Sequence, residues 1–166
     1  MVDESVREGE DAAEYVKRLA DAKSRHIANH YDNEQTAILA ADTAVVIDGI
    51  ILGKPIDHED ARRMLRRLSG ARHKVMTGIC VHQQGNCSGC VVTTQLEFIA
   101  LSDTVLDKYL ATDEPWDKAG SYAIQGLAGA FVQTMAGSYS NVVGLPLTET
   151  WQLLSAAGIA TALDSE

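Results

Sequence analysis

The chain has 166 residues, enough for one domain with a sizeable hydrophobic core. A hydrophobic content of 46% and a charged content of 22% are typical of a globular protein in water. The formal net charge is −9, and no basic stripe runs along the chain, which argues against a nucleic-acid duplex as partner. An acidic protein can still bind a phosphorylated ligand through a few focused lysines or a metal ion.

The three cysteines leave at least one thiol unpaired and do not predict a secreted disulfide framework. Neither a signal peptide nor an apolar run long enough to span a bilayer is present, so we expect a cytoplasmic protein without a membrane partner. Cys87 and Cys90 have the C-x-x-C spacing of metal and redox sites, with His82 nearby. No second ligand pair accompanies them, and the motif leads into a predicted strand, so we interpret it as incidental.

The first helix is predicted from a capping-box pattern at Asp11 and Glu14, and it runs to about Asn29. Lys23 falls on its apolar face, where a lysine either extends to the rim or points into a polar cleft. Glu4 precedes this helix in a polar, acidic stretch. Taken alone, Glu4 is interpreted as a frayed terminal acid rather than as part of a site.

Asp48-Gly49 lies between two β-rich apolar runs, which predicts a hairpin with a type I′ turn. The register that follows from a two-residue turn pairs Ile47 with Ile50, Val46 with Ile51, Val45 with Leu52, Ala44 with Gly53, and Thr43 with Lys54.

Asp42 follows the apolar run 38–41, which is predicted to be a buried strand, and the hairpin register places it diagonal to Lys54. A carboxylate at the end of a buried strand loses hydration and needs a cation, a metal ion or several donors. The alternative is that Asp42 caps a turn and Lys54 is a solvated surface lysine.

Further elements follow in chain order. Asp57 and Ser102 are predicted to cap two more helices, which end near Gly70 and Leu110. Strands are predicted at 73–81 and 91–98, joined by a loose loop over 83–89, with another strand at 129–135, a turn at 137–141 and a helix starting at Pro146.

The segment 113–126 is predicted to be a long, ordered loop with polar groups between apolar anchors. Within it, Gln125 is predicted to be a half-buried amide. Such a group offers both a donor and an acceptor, which suits reading a base edge, or it satisfies backbone groups.

Several motifs are shared with one family. They are Ala41-Asp42-Thr43; Gly53-Lys54-Pro55; the stretch 61–65 with Leu68-Ser69-Gly70; His73, Val75 and Thr77-Gly78; Asp117-Lys118-Ala119-Gly120, Tyr122 and Ile124-Gln125-Gly126; and Gly137-Ser138-Tyr139 with Asn141-Val142-Val143-Gly144-Leu145-Pro146-Leu147. With these motifs the chain resembles the Maf family of nucleoside triphosphate pyrophosphatases over nearly its whole length.

The resemblance implies a single domain over residues 1–166 with an α/β, ITPase-like (Maf/Ham1) fold, in which a mixed, twisted sheet is flanked by helices. It implies hydrolysis of a nucleoside triphosphate to the monophosphate and pyrophosphate with a divalent cation, Mg²⁺ or Mn²⁺, and a homodimer. The segment 117–126 is similar to the subgroup that acts on dTTP and UTP. A 7-methyl-GTP pyrophosphatase and a non-catalytic regulator of septum formation are the alternatives.

Residue by residue, the resemblance gives Asp42 the role of general base or metal ligand and Glu4 that of second acid and metal ligand. It makes Lys23 and Lys54 active-site and phosphate lysines, and Thr43 and Gln125 specificity positions. Family members begin with a further strand and paired arginines ahead of the position of Asp3-Glu4. We therefore expect a truncated or misassigned start, or a degraded member, and a sheet without that first strand.

Overall fold

The computed structural model of the chain describes residues 2–31 and 36–164. These ranges contain five helices and five strands, in the order α1 (Ala12–Ala28), β1 (Ile38–Ile47), β2 (Ile50–Leu52), α2 (His58–Leu68), β3 (Arg72–Gln83), β4 (Asn86–Phe98), α3 (Asp103–Leu110), β5 (Val132–Ala136), α4 (Tyr139–Val143) and α5 (Leu147–Ala156). Three short 3-10 turns lie between α3 and β5, at Pro115–Asp117, Ala119–Ser121 and Leu127–Phe131.

The strands form one sheet in the order β2-β1-β3-β4-β5. Each strand pair in it is antiparallel. The predicted α/β class with flanking helices is confirmed. Within the described ranges no strand precedes α1.

Local sequence signals place the first three helices. The Asp11 side chain accepts a hydrogen bond from the Glu14 amide at 2.8 Å, and the Glu14 carboxylate accepts one from the Asp11 amide, so the predicted capping box is present. Asp57 caps α2 and Ser102 caps α3, again as predicted. These contacts are local in sequence, which explains why the pattern alone locates the helix starts.

The β1–β2 hairpin turns at Asp48 and Gly49, whose φ angles of 51° and 75° fit the predicted type I′ turn. The three innermost predicted pairs are confirmed. The strand β2 ends at Leu52, however, so the predicted pairing of Thr43 with Lys54 is wrong. The chain instead leaves the sheet at Gly53, whose carbonyl oxygen accepts a hydrogen bond from the Gly120 amide at 3.0 Å.

The β3–β4 hairpin is tighter than the predicted loop over 83–89. Gln84 and Gly85 have φ angles of 51° and 78°, so the strands continue up to a two-residue turn. Cys87 and Cys90 therefore lie in β4, where a spacing of three directs their side chains to opposite faces. Cys87 forms a disulfide with Cys80 on β3, and Cys90 is free.

Hydrophobic residues pack on both faces of the sheet. The larger cluster contains α2 and α3, and the smaller one joins α1 to β1 through Tyr15, Val16, Leu19, Ala44 and Val46. The helix α1 lies unusually close to β3 at Gly78, where a Cβ atom would fall 2.4 Å from the Val16 carbonyl oxygen. Glycine at this position therefore permits α1 to lie directly over the sheet, with Lys23 facing β1.

The carboxyl-terminal third departs from prediction in detail. The strand β5 begins at Val132, because residues 127–131 form a 3-10 turn. The predicted turn around Tyr139 is a short helix, capped by the Ser138 side chain, which accepts from the Asn141 amide. Trp151, on α5, is 38% exposed. None of the helices in the described ranges is long and apolar enough to cross a membrane.

Candidate active site

A cavity of about 290 Å³ opens between α1, the middle of β1 and the loop 113–126. All six predicted site residues line it: Glu4, Lys23, Asp42, Thr43, Lys54 and Gln125. The structure thus brings together side chains from five separate stretches of the chain. Other lining residues include Tyr15, Asp117, Lys118 and Tyr122.

Lys23 joins the two acids of the site. Its Nζ atom lies 2.6 Å from Asp42 Oδ1 and 2.8 Å from Glu4 Oε1. Asp42 was predicted at the end of a buried strand, but it lies in the middle of β1, opposite Gly78. The buried half of β1 is the later one, residues 44–47. The Asp42 side chain is nevertheless only 11% exposed, whereas that of Glu4 is 52% exposed.

Burial and charge have opposite effects on the pKa values of Asp42 and Lys23. Burial raises the pKa of Asp42 above its usual range, and the hydrogen bond from Lys23 offsets part of that rise. For Lys23, burial disfavours the charged form, but the hydrogen bonds to Asp42 and Glu4 outweigh it and raise the pKa. Lys23 is therefore a cation near neutral pH, and Asp42 is a carboxylate of increased basicity.

Lys54 contacts a different acid from the predicted one. Its Nζ atom lies 3.0 Å from Asp117 Oδ1. The hydrogen bond from Lys54 lowers the pKa of Asp117. Both side chains are well exposed, so this ion pair contributes little to stability. The expected diagonal contact with Asp42 is absent from the described ion pairs because β2 ends two residues before Lys54.

Thr43 is held by a directed chain of hydrogen bonds. The Thr77 hydroxyl lies 3.0 Å from the Asn141 carbonyl oxygen, to which it donates its single proton. Thr43 Oγ1 lies 2.9 Å from Thr77 Oγ1, so Thr43 is the donor in that contact. The hydroxyl of Thr43 consequently has only acceptor lone pairs left for a ligand in the cavity.

The loop 113–126 closes the other side of the cavity. Gln125 is exposed, not half-buried as predicted, because a turn from Ala123 to Gly126 directs it outward. Tyr122 is buried beneath the cavity, and its hydroxyl lies 3.0 Å from His73 Nε2. His73 is itself buried in β3, and burial lowers its pKa to about 4, so it is neutral.

Among the lining residues that were not predicted as site residues are Tyr15, Asp117 and Tyr122. Tyr15 has a detectable signal, because it lies four residues before Leu19 and eight before Lys23, on one helical stripe. Asp117 and Tyr122 belong to the shared motifs, but nothing in their spacing shows that the loop folds over β1.

The side chains in the cavity indicate the kind of ligand that the site can bind. Two carboxylates with hard oxygen donors, next to two lysines in one cleft, suit an anionic ligand that carries a divalent cation. This is the arrangement expected of an α/β protein that acts on phosphorylated ligands.

The chain belongs to the Maf family: a family model described as "Maf-like protein" matches residues 1–157. Three similar proteins are each named dTTP/UTP pyrophosphatase. The protein from Anaeromyxobacter dehalogenans strain 2CP-C is 53% identical over 160 residues, which cover 94% of this chain and 79% of that protein. The Shewanella oneidensis protein is 51% identical over 159 residues (95% and 82%), and the Hahella chejuensis protein is 47% identical over 159 residues (95% and 79%).

Proposed function

We propose that this protein hydrolyses dTTP and UTP to the nucleoside monophosphate and pyrophosphate. The observation that carries the proposal is the convergence of Asp42 and Glu4 on Lys23 in a cavity that Lys54 also lines. The names of relatives about 50% identical support the substrate class. In the reaction, water attacks the α-phosphorus, the bond to the oxygen bridging the α- and β-phosphorus atoms breaks, and pyrophosphate leaves.

Asp42 is the proposed general base. Its carboxylate is mostly buried and carries a raised pKa, so it accepts a proton more readily than an exposed aspartate. Lys23 keeps it ionised before substrate binds and holds its oxygen in place. With Asp42 in the middle of a paired strand, the base cannot move away from the attacking water.

Asp42 and Glu4 are also the proposed ligands of a divalent cation, Mg²⁺ or Mn²⁺. The donor set fits such an ion, because both side chains supply carboxylate oxygens to one point of the cavity. Such an ion neutralises phosphate charge and polarises the phosphoryl group. Lys23 holds the two acids together without it and limits their mutual repulsion.

Lys54 is the proposed phosphate-binding lysine. It is 62% exposed and its partner is a single exposed carboxylate, so a triphosphate can replace Asp117 at low cost. A lysine next to the transferred group offsets the charge that builds up in phosphoryl transfer. Thr43 and Gln125 are left to select the base.

A panel of triphosphates tests the proposal. The purified chain is incubated with dTTP, UTP, dCTP, dATP, dGTP and 7-methyl-GTP in the presence of Mg²⁺ or Mn²⁺, and pyrophosphate release is measured. We expect turnover of dTTP and UTP, none without the cation, and monophosphate as the second product. A preference for 7-methyl-GTP overturns the substrate assignment. Binding of nucleotides without turnover of any of them overturns the catalytic one and favours the regulator.

A further inference from the structure

The segment 2–10, here called the strap, is fastened along one face of α1. Its carbonyl oxygens at three consecutive residues each accept a hydrogen bond from α1. The Tyr15 hydroxyl donates to the Glu4 carbonyl at 3.0 Å. Arg18 donates from Nη1 to the Asp3 carbonyl at 3.3 Å and from Nη2 to the Ser5 carbonyl at 2.9 Å. The backbone of the strap is thus held at Glu4 and at the residues on either side of it.

Arg18 is in turn fixed by the far end of the strap. Glu10 accepts from Arg18 Nε at 2.5 Å through Oε1 and from Nη2 at 2.8 Å through Oε2, a forked pair. Hydrogen bonding to Arg18 lowers the pKa of Glu10 to about 2, so the pair stays ionised at every pH of interest. The guanidinium also lies over the Tyr15 ring, 5.6 Å from its centroid.

Glu4 needs this support because its own side chain is poorly constrained. It is 52% exposed, and its contact with Lys23 Nζ at 2.8 Å is with the end of a flexible side chain. Asp42, in contrast, is fixed by its strand, because Asp42 and the residues before and after it all pair with β3. An acid on an irregular segment reaches a precise position only when its backbone is held.

We propose that Tyr15 and Arg18 are positioning residues that direct the Glu4 carboxylate toward Lys23 and the cation. The inference rests on the proposed function. Tyr15 also lines the cavity, but its hydroxyl proton is already donated to Glu4, so the residue acts through Glu4 rather than on substrate.

A double-mutant cycle tests the link between Tyr15 and Glu4. Tyr15→Phe removes one hydroxyl and keeps the ring over which the Arg18 guanidinium lies. We expect kcat/KM for dTTP to fall by about 3- to 10-fold, and the half-saturating Mg²⁺ concentration to rise, since one hydrogen bond is lost. In a Glu4→Gln background the same change should cost less than about 2-fold. Equal losses in both backgrounds overturn the proposal, because they indicate direct contact with substrate or a general structural effect.

Arg18→Gln is the second variant, with Arg25→Gln as its matched control. Arg25 lies two turns further along α1 and pairs at 2.8 Å with Asp21, outside the strap. Arg18→Gln should raise the half-saturating Mg²⁺ concentration by about 10-fold, with a smaller effect on kcat, whereas Arg25→Gln should change neither. Equal Mg²⁺ dependence in the two variants contradicts the inference. If Arg18→Gln does not fold, the double-mutant cycle with Tyr15→Phe still tests the inference.

Hydrogen exchange separates this inference from the proposed function. Faster amide exchange over residues 3–8 in Tyr15→Phe and Arg18→Gln, but not in Arg25→Gln, supports the strap whether or not the wild-type chain hydrolyses dTTP. Unchanged exchange in both variants overturns the inference and leaves the proposed function intact.

Discussion

Lys23 Nζ lies 2.6 Å from Asp42 Oδ1, although the two residues belong to different elements and are 19 positions apart. The contact exists because α1 lies over β1 and β3 where Gly78 allows close approach. It joins a raised-pKa acid to a raised-pKa lysine inside one cavity. Under the proposed function, this pair is the part of the site on which catalysis depends most.

Asp42→Asn should abolish most turnover without unfolding the protein. Asparagine keeps the shape but cannot accept a proton or balance the charge of a cation, so kcat should fall by roughly 10²–10⁴-fold. Pyrophosphate release and thermal unfolding are measured together. Asp48→Asn, a change in the exposed β1–β2 turn, is the matched control and should leave both unchanged. If Asp42 instead served structure alone, its melting temperature would fall while turnover per folded molecule stayed near wild type.

Lys23→Gln should move the acidic limb of the pH profile of kcat/KM to higher pH. In the wild type, Lys23 holds the pKa of Asp42 below the value that burial alone would give. Removing the cation raises that pKa further, so Asp42 becomes protonated and inactive at a higher pH. The profile is measured with dTTP from pH 4 to 9. An unshifted limb in Lys23→Gln means that Asp42 is not the group whose ionisation the profile reports.

The hairpin and the helix caps could be predicted because their determinants are adjacent in sequence. Asp11 with Glu14, and Asp48 with Gly49, fix the backbone through contacts over one to three residues. The tight turn at Gln84-Gly85 also has a local signal, a glycine between two predicted strands, but the prediction of a loose loop over 83–89 did not use it. Once the turn is placed correctly, strand alternation accounts for the separation of Cys87 and Cys90.

The partners of the site lysines could not be predicted in this way. Lys54 and Asp117 are 63 positions apart, and their contact depends on how far β2 extends and where the loop 113–126 returns. An apolar pattern does not show where a strand stops pairing, so the register predicted from it extends two residues beyond the observed end of β2. The resemblance to the Maf family named the site residues, and the structure shows which of them touch.

Thr77→Val should weaken the discrimination between UTP and CTP. Under the proposed role of Thr43, its hydroxyl accepts from the N3–H group of uracil, a donor that cytosine lacks. Without Thr77 as acceptor, the Thr43 hydroxyl is free to rotate and donate instead, so the UTP-to-CTP ratio of kcat/KM should fall by about 10-fold. Thr94→Val is the control, because Thr94 bonds Asn141 and Ser138 in the same buried network without touching Thr43. An equal change of the ratio in both variants would assign it to general loosening.

His73→Gln should flatten the dependence of stability on acid pH. Burial lowers the pKa of His73 to about 4 in the folded protein, against 6.5 for an ordinary histidine. Between these values the unfolded chain binds a proton that the folded chain does not, so the free energy of unfolding is lost as pH falls through this window. From pH 7 to pH 5 the wild type should lose about 2 kcal/mol more than His73→Gln. Urea unfolding at both pH values measures this difference, with the exposed His58→Gln as control. The control should keep the wild-type slope, and a wild-type slope in His73→Gln as well would show that His73 does not titrate in this window.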